Sequence, residues 1–221
     1  MDVMALLDAT GAVIVLGGTL LATLLGSGRN ELSAMLASLW HLFERPFESE
    51  RARAEIARDV EAIRTDGVLR ARPMRSSDTE ITTVTEALIH DRSLNSLIEA
   101  HDRFRRDRLH LRQRALRPIR LAGEMAPVFG MAGTLFSLSQ MNTGGPAEAA
   151  SMSSIGLAVI TTLYGLLAAH LLFHPLASLV ERRASREEAD RQLLIDWMAR
   201  QLAGSLPSAP PRTGPRLERV V

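Results

Sequence analysis

Two long stretches without a formal charge follow one another in the C-terminal half of this chain: Met125 to Ala147, then Ala149 to Val180, with Glu148 between them. A helix crossing the hydrocarbon core of a bilayer needs roughly 20 predominantly apolar residues, and each stretch is long enough. Threonine and glycine recur through both at helical spacing. The pair is predicted to be a membrane hairpin with hydroxyls inside it, which points to transport before catalysis.

A third apolar block runs Ala9 to Gly28, flanked by Asp8 and Arg29. A cleaved signal peptide would carry a basic region ahead of its apolar core. Here Asp2 and Asp8 precede the core and the first Arg follows it, so a first transmembrane helix is the better reading, with a buried soluble helix the alternative. Bulk composition hides these blocks: 46% of the 221 residues are apolar, an ordinary share. The formal net charge of +1 gives no global pull toward nucleic acid, and none is expected as a partner. The chain has no Cys, which excludes disulfides and thiolate metal sites.

Arginine placement sets a topology. Eighteen Arg fall between Arg29 and Arg120 and eight between Arg182 and Arg219, with none before Ala9 or between Asn142 and Ser151. Positive flanks stay on the cytoplasmic side. The expected order is a first span 9–28, a cytoplasmic helical region 29–120, a second span 121–142, a periplasmic turn 143–152 and a third span 153–178. A cytoplasmic helix 179–204 and a disordered tail 205–221 follow. The N-terminus is then outside and the C-terminus cytoplasmic, in an all-α protein of the bacterial inner membrane.

The cytoplasmic portion reads as helices. Leu32, Met35, Leu36, Leu39, Leu42 and Phe43 recur at three- and four-residue intervals between Asn30 and Phe47; Ile56, Val60 and Ile63 do so between Glu50 and Leu69. Ser76, Ser77 and Asp78 are cap residues for a helix carrying Ile81, Val84 and Leu88. Met74 follows Pro73 in the expected loop. An Arg-rich amphipathic helix from Arg92 to Arg117 is expected to run into the second span, with Pro118 able to kink it. The cluster Arg103 to Arg120 reads as a solvated stalk near the membrane rather than a nucleic-acid or lipid-headgroup site, because Asp102 and Asp107 interrupt it. His101 and His110, nine apart, do not share a helical face for a metal, and a surface role is expected for both.

Within the spans, Ala126, Gly130, Gly133, Thr134 and Ser137 share one side of the second helix. Ala158, Thr161, Thr162, Gly165, Ala168 and Ala169 form a comparable strip on the third. Small residues let transmembrane helices approach closely. Hydroxyls there can simply bond back to their own helix, or line a polar conduit suited to hard cations or water. No Asp or Glu falls inside a span; Glu124 and Glu148 sit at span ends, and His170 and His174 near the inner end of the third. Proton relays in membranes normally use an intramembrane acid. A second polypeptide is therefore expected to supply one.

These residues resemble the MotA/TolQ/ExbB proton-channel family. Ala126-Pro-Val-Phe-Gly-Met-Ala-Gly-Thr-Leu135 is similar to its signature AP-x-x-G-x-x-GT. Ala158-Val-Ile-Thr-Thr-Leu-Tyr-Gly165 with His174-Pro-Leu-Ala177 is similar to A-x-x-TT-x-x-G … PLA. Ile14-Val-Leu-Gly-Gly-Thr-Leu-Leu-Ala-Thr23 resembles the MotA branch. The resemblance implies a homopentamer around a dimer of a single-span MotB/ExbD/TolR-type partner whose intramembrane Asp carries the ion. It implies that Thr134, Thr161 and Thr162 line the path, that Pro127 and Pro175 act in coupling or gating, and that ion flow becomes mechanical work. Gly130, Gly133 and Gly165 are assigned to helix packing. Two departures stand out. The span that precedes the IVLGGT segment in a four-span MotA is absent, giving the ExbB/TolQ arrangement. And Glu86, in Thr85-Glu-Ala-Leu-Ile-His90, falls where the flagellar branch carries a rotor-engaging Arg.

The leading expectation is thus an ion-channel subunit of a motor, passing protons or sodium, with no cofactor and no metal. A non-conducting membrane scaffold is the alternative. An enzyme is disfavoured because no nucleophile–base pair or metal-ligand spacing stands out.

Overall fold

A computed structural model describes residues 9–43, 47–66, 76, 78–139 and 147–204, with backbone alone for 147–153. Every regular element among them is helical. We number them α1 (Ala9–Gly26, with a π turn at Val13–Gly17), α2 (Arg29–His41), α3 (Ser49–Asp66), α4 (Thr79–Asp91) and α5 (Leu94–Ser139). The last, α6, runs Ala147–Leu167, passes through a π turn at Ala168–Phe173 and continues as His174–Leu202. Three helices are long and apolar enough to cross a membrane: α1, α5 and α6.

Local chemistry explains the boundaries. Ser27 is extended and ends α1, and α2 restarts when the Gly28 N–H donates to Oε2 of Glu31 at 3.1 Å. Asp78, among the three expected cap residues, accepts from the Glu80 N–H at 2.8 Å and starts α4. Arg92 takes a left-handed conformation, φ 53°, and closes α4. Pro118 and Pro127 both lie inside α5 without ending it. The helix from the Arg-rich segment into the second span is unbroken, as is α6 from the third span to Leu202. Residues 147–152, expected as turn, belong to α6; Ala147, Ala149 and Ala150 are strong helix formers. Met74, the bend 140–146 and the tail 205–221 lie outside the described residues.

The chain divides into two compact units, Met1–Arg45 with Leu109–Arg186, and Pro46–Arg108 with Glu187–Val221. The first contains the three candidate spans. At their Arg-rich ends, Leu116 and Ile119 of α5 pack with Ala177 and Val180 of α6, and Met35, Leu39 and Leu42 close over them. Leu36 and Phe43, expected with that apolar set, are instead exposed. Polar ties surround the cluster: Arg117 to Glu31 at 2.6 Å, Arg120 to Glu181 at 3.2 Å, Arg112 to the Ser185 hydroxyl at 3.1 Å, and Arg183 to the Leu42 carbonyl at 3.0 Å.

The second unit buries one apolar core built by α3, α4, the start of α5 and the end of α6. Ile56, Val60, Ile63, Ile81, Val84, Leu88, Leu97, Met198 and Leu202 are among its members. The Ile56–Val60–Ile63 and Ile81–Val84–Leu88 stripes read from the sequence both face this core.

A glycine–threonine seam and a buried ionic cluster

The second and third spans touch backbone to backbone. A Cβ added to Gly165 would stand 2.6 Å from the Ala126 carbonyl oxygen, 3.1 Å from Gly130 Cα and 3.2 Å from Pro127 Cα. One added to Gly130 would meet the Thr161 carbonyl oxygen at 3.0 Å and Thr162 Cα at 3.4 Å. Gly133 leaves the space that the Thr161 side chain fills; a Cβ there would lie 2.8 Å from Thr161 Cβ. Small side chains permit this approach, and in lipid such packing drives helix association. Gly18 of α1 serves in the same way, because a Cβ there would overlap the Phe129 ring.

The hydroxyls follow the seam. Thr161 is wholly buried and donates to the Ala158 carbonyl at 2.9 Å. Thr162 donates to the same carbonyl at 3.3 Å, and Thr134 to the Met131 carbonyl at 2.6 Å; both keep partial exposure. Ser137 is buried and donates to Gly133. Thr161 sits opposite Gly133, one residue from Thr134, so the three threonines occupy one level. Pro127 flanks the Gly165 contact, whereas Pro175 is exposed two residues beyond the α6 π turn. On α1, Thr19 and Thr23 are buried and donate to the carbonyls of Val15 and Thr19 at 2.6 and 2.7 Å. Their i, i+4 spacing on the face that also carries Val15 was the signal for a buried hydroxyl stripe on α1, and sequence reasoning had not drawn it.

The second unit holds a constellation that sequence reasoning missed. His101, expected at the surface, is buried: Nδ1 meets Oε1 of Glu80 at 2.8 Å and Nε2 meets Oε1 of Gln192 at 3.0 Å. The cause is register, since His101 continues the core stripe Leu97–Ala100 and so points inward. Oε2 of Glu80 receives Arg108 and also Arg191 at 2.8 Å. Arg108 bridges on to Glu188 at 2.8 Å, and Arg191 to Asp78 at 2.8 Å while lying over the Phe47 ring. Part of the expected solvated stalk is therefore committed to specific buried pairs.

Electrostatics follow from that geometry. Burial pushes the Glu80 carboxyl up, but the His101 hydrogen bond and the two guanidiniums outweigh it, and it titrates below its ordinary range. The Glu80 bond raises the His101 value against the opposing effect of burial. Among the described residues no group of three or more His, Asp or Glu side chains is placed to hold a metal ion.

Residues 75–193 match the model of the MotA/TolQ/ExbB proton channel family, more than half of the chain. The chain belongs to this family. The chemotaxis protein PomA of Vibrio alginolyticus is 26% identical over 193 residues, covering 86% of this chain and 75% of PomA. The flagellar MotAB stator complex of Bacillus subtilis is similar at TM-score 0.79 and 19% identity, covering 91% of this chain and 80% of that one. MotAB of C. jejuni gives 0.77 and 15%, with 98% and 91% covered. At these identities the two structures speak for a shared fold. As a family member with three helices able to span, the chain is a multi-pass protein of the bacterial inner membrane and of the MotA-like stator type.

Proposed function

We propose that this chain is the channel-forming subunit of a proton-driven motor, and that it conducts only when a single-span MotB/ExbD/TolR-like partner lends it an intramembrane Asp. The observation that carries this reading is the seam itself: apposed spans bring Thr134, Thr161 and Thr162 to one level, with no carboxylate on the described spans beside them. Thr134 and Thr162, partly exposed, line the path; Thr161, buried, holds its wall. Pro127 and Pro175 serve coupling or gating. Five copies around a partner dimer, with the N-terminus and the segment 143–152 periplasmic and the Arg-rich segments inside, complete the assembly. PomA and the MotAB complexes support a mechanical load for the ion flow. Sodium is the alternative ion.

The test is flux through vesicles holding the chain and its single-span partner, with and without sodium at fixed membrane potential. Thr162→Ala should lower the flux. Flux unchanged by Thr134→Ala and Thr162→Ala together would overturn a threonine-lined path, and a complex that assembles without conducting any ion would return the chain to the scaffold reading.

A further inference from the structure

Two imidazoles sit in the apolar third span. His170 and His174 have ring centroids 5.3 Å apart, and both are exposed on the single chain. The first charged residue beyond them is Glu181, so they lie about 16 and 10 Å inside that point along the helix. The His174 ring rests over the second span, with Cε1 3.3 Å from where a Gly123 Cβ would stand. Ionisable groups within a bilayer are costly, and they mark ion or proton pathways.

The π turn at Ala168–Phe173 decides which way they face. Along an uninterrupted α-helix the twelve residues from Thr162 to His174 would leave the two side chains about 120° apart. Six residues at the wider π winding, roughly 4.4 per turn, reduce that offset to about 10°, and put His170 about 45° from Thr162. The turn thus lines up Thr162, His170 and His174 along one side of the span. The ionisable residues of the adjoining second-span segment are Glu124, exposed, and Arg120, which pairs with Glu181 at 3.2 Å. On α6 itself they are Tyr164 and Glu181, and α1 carries none between Ala9 and Gly26.

We propose that His170 and His174 form the chain's own proton-exchange station at the Arg-rich end of the path. One ring nitrogen accepts the proton arriving through water from the threonine level, giving an imidazolium. The other nitrogen releases it, directly or through the second ring, to water on the cytoplasmic side, and the ring returns to neutral. Histidine suits the task because its neutral ring carries one acceptor and one donor nitrogen. The inference rests on the proton-conducting reading above.

Proton flux through vesicles of the complete complex tests it, with pH varied on the Arg-rich side. His170→Gln/His174→Gln should cut flux at least about tenfold and flatten its dependence on that pH. The surface variant His110→Gln should match the wild type. Micromolar zinc on the Arg-rich side should block the wild type through the i, i+4 imidazole pair and spare the variants. A conducting wild type with an assembled double variant of equal flux and equal pH profile overturns the station and leaves the channel intact. A wild-type complex that passes no protons overturns both. Should the double variant not assemble, the single variants decide: zinc acting equally on them and on the wild type, or on none, also overturns it.

Discussion

Oε1 of Glu80 lies 2.8 Å from Nδ1 of His101 in the interior of the second unit, joining the first turn of α4 to the start of α5. Both side chains are almost fully buried. A buried pair of this kind contributes through its charges, so it ties the stability of the unit to pH. His101 titrates above its ordinary 6.5, so its contribution is fully present below that pH and is lost as pH rises through the raised value. Glu80 titrates below its ordinary 4.5, so its contribution is fully present above that pH and is lost as pH falls through the lowered value. The melting temperature of the complete chain in detergent should therefore have its plateau between those two ordinary values and decline on both sides. In His101→Asn the alkaline decline should weaken.

Removing the Glu80 carboxylate leaves Arg108, Arg191 and His101 gathered with too little negative charge. Glu80→Gln should cost about 3 kcal/mol, the usual penalty for stranding buried charge. Equilibrium denaturation would measure it. A double-variant cycle with His101→Asn should be non-additive by more than about 0.5 kcal/mol; strict additivity would mean the two residues act separately.

Gly165→Val should force the second and third spans apart, since even the first added carbon would stand 2.6 Å from a backbone oxygen. The expected loss is about 1–3 kcal/mol of thermal stability in detergent. Gly156, which has open space around it, should accept Ala with little change. Equal effects at the two glycines would remove the special status of the seam.

Partly exposed and buried threonines should behave differently. Thr162→Val and Thr134→Val withdraw oxygen from the proposed path and should reduce ion flux several-fold more than Thr161→Val does. The Thr161 change should register in stability instead, by about 1 kcal/mol for the lost hydrogen bond. The same three proteins, assayed for flux and for melting, would settle the division of roles.

Much of this was legible in the residues. Uninterrupted apolar length announced the spans, and three- and four-residue periodicity announced the core stripes of α3 and α4, because both signals are local. What stayed hidden depends on partners distant in sequence. His101 was expected at the surface because, nine residues from His110, it shares no helical face with it for a metal, yet it continues the stripe of Leu97 and Ala100. Its acceptor, Glu80, lies 21 residues earlier and Gln192 lies 91 later. Arg108 was submerged in a run of arginines, and only tertiary contact with Glu80 and Glu188 sets it apart. Leu36 and Phe43 had the right spacing to be core and are exposed, since periodicity marks an apolar face without saying what covers it.

Thr134, Ser137, Thr161 and Thr162 each spend their single hydroxyl hydrogen on a carbonyl of their own helix. On the two that keep partial exposure, Thr134 and Thr162, what remains is a lone pair. Along the proposed path they give a preference of sign before any ionised group is considered: hydronium or a bare alkali ion finds electron density to lean on, while chloride meets no hydrogen to grasp.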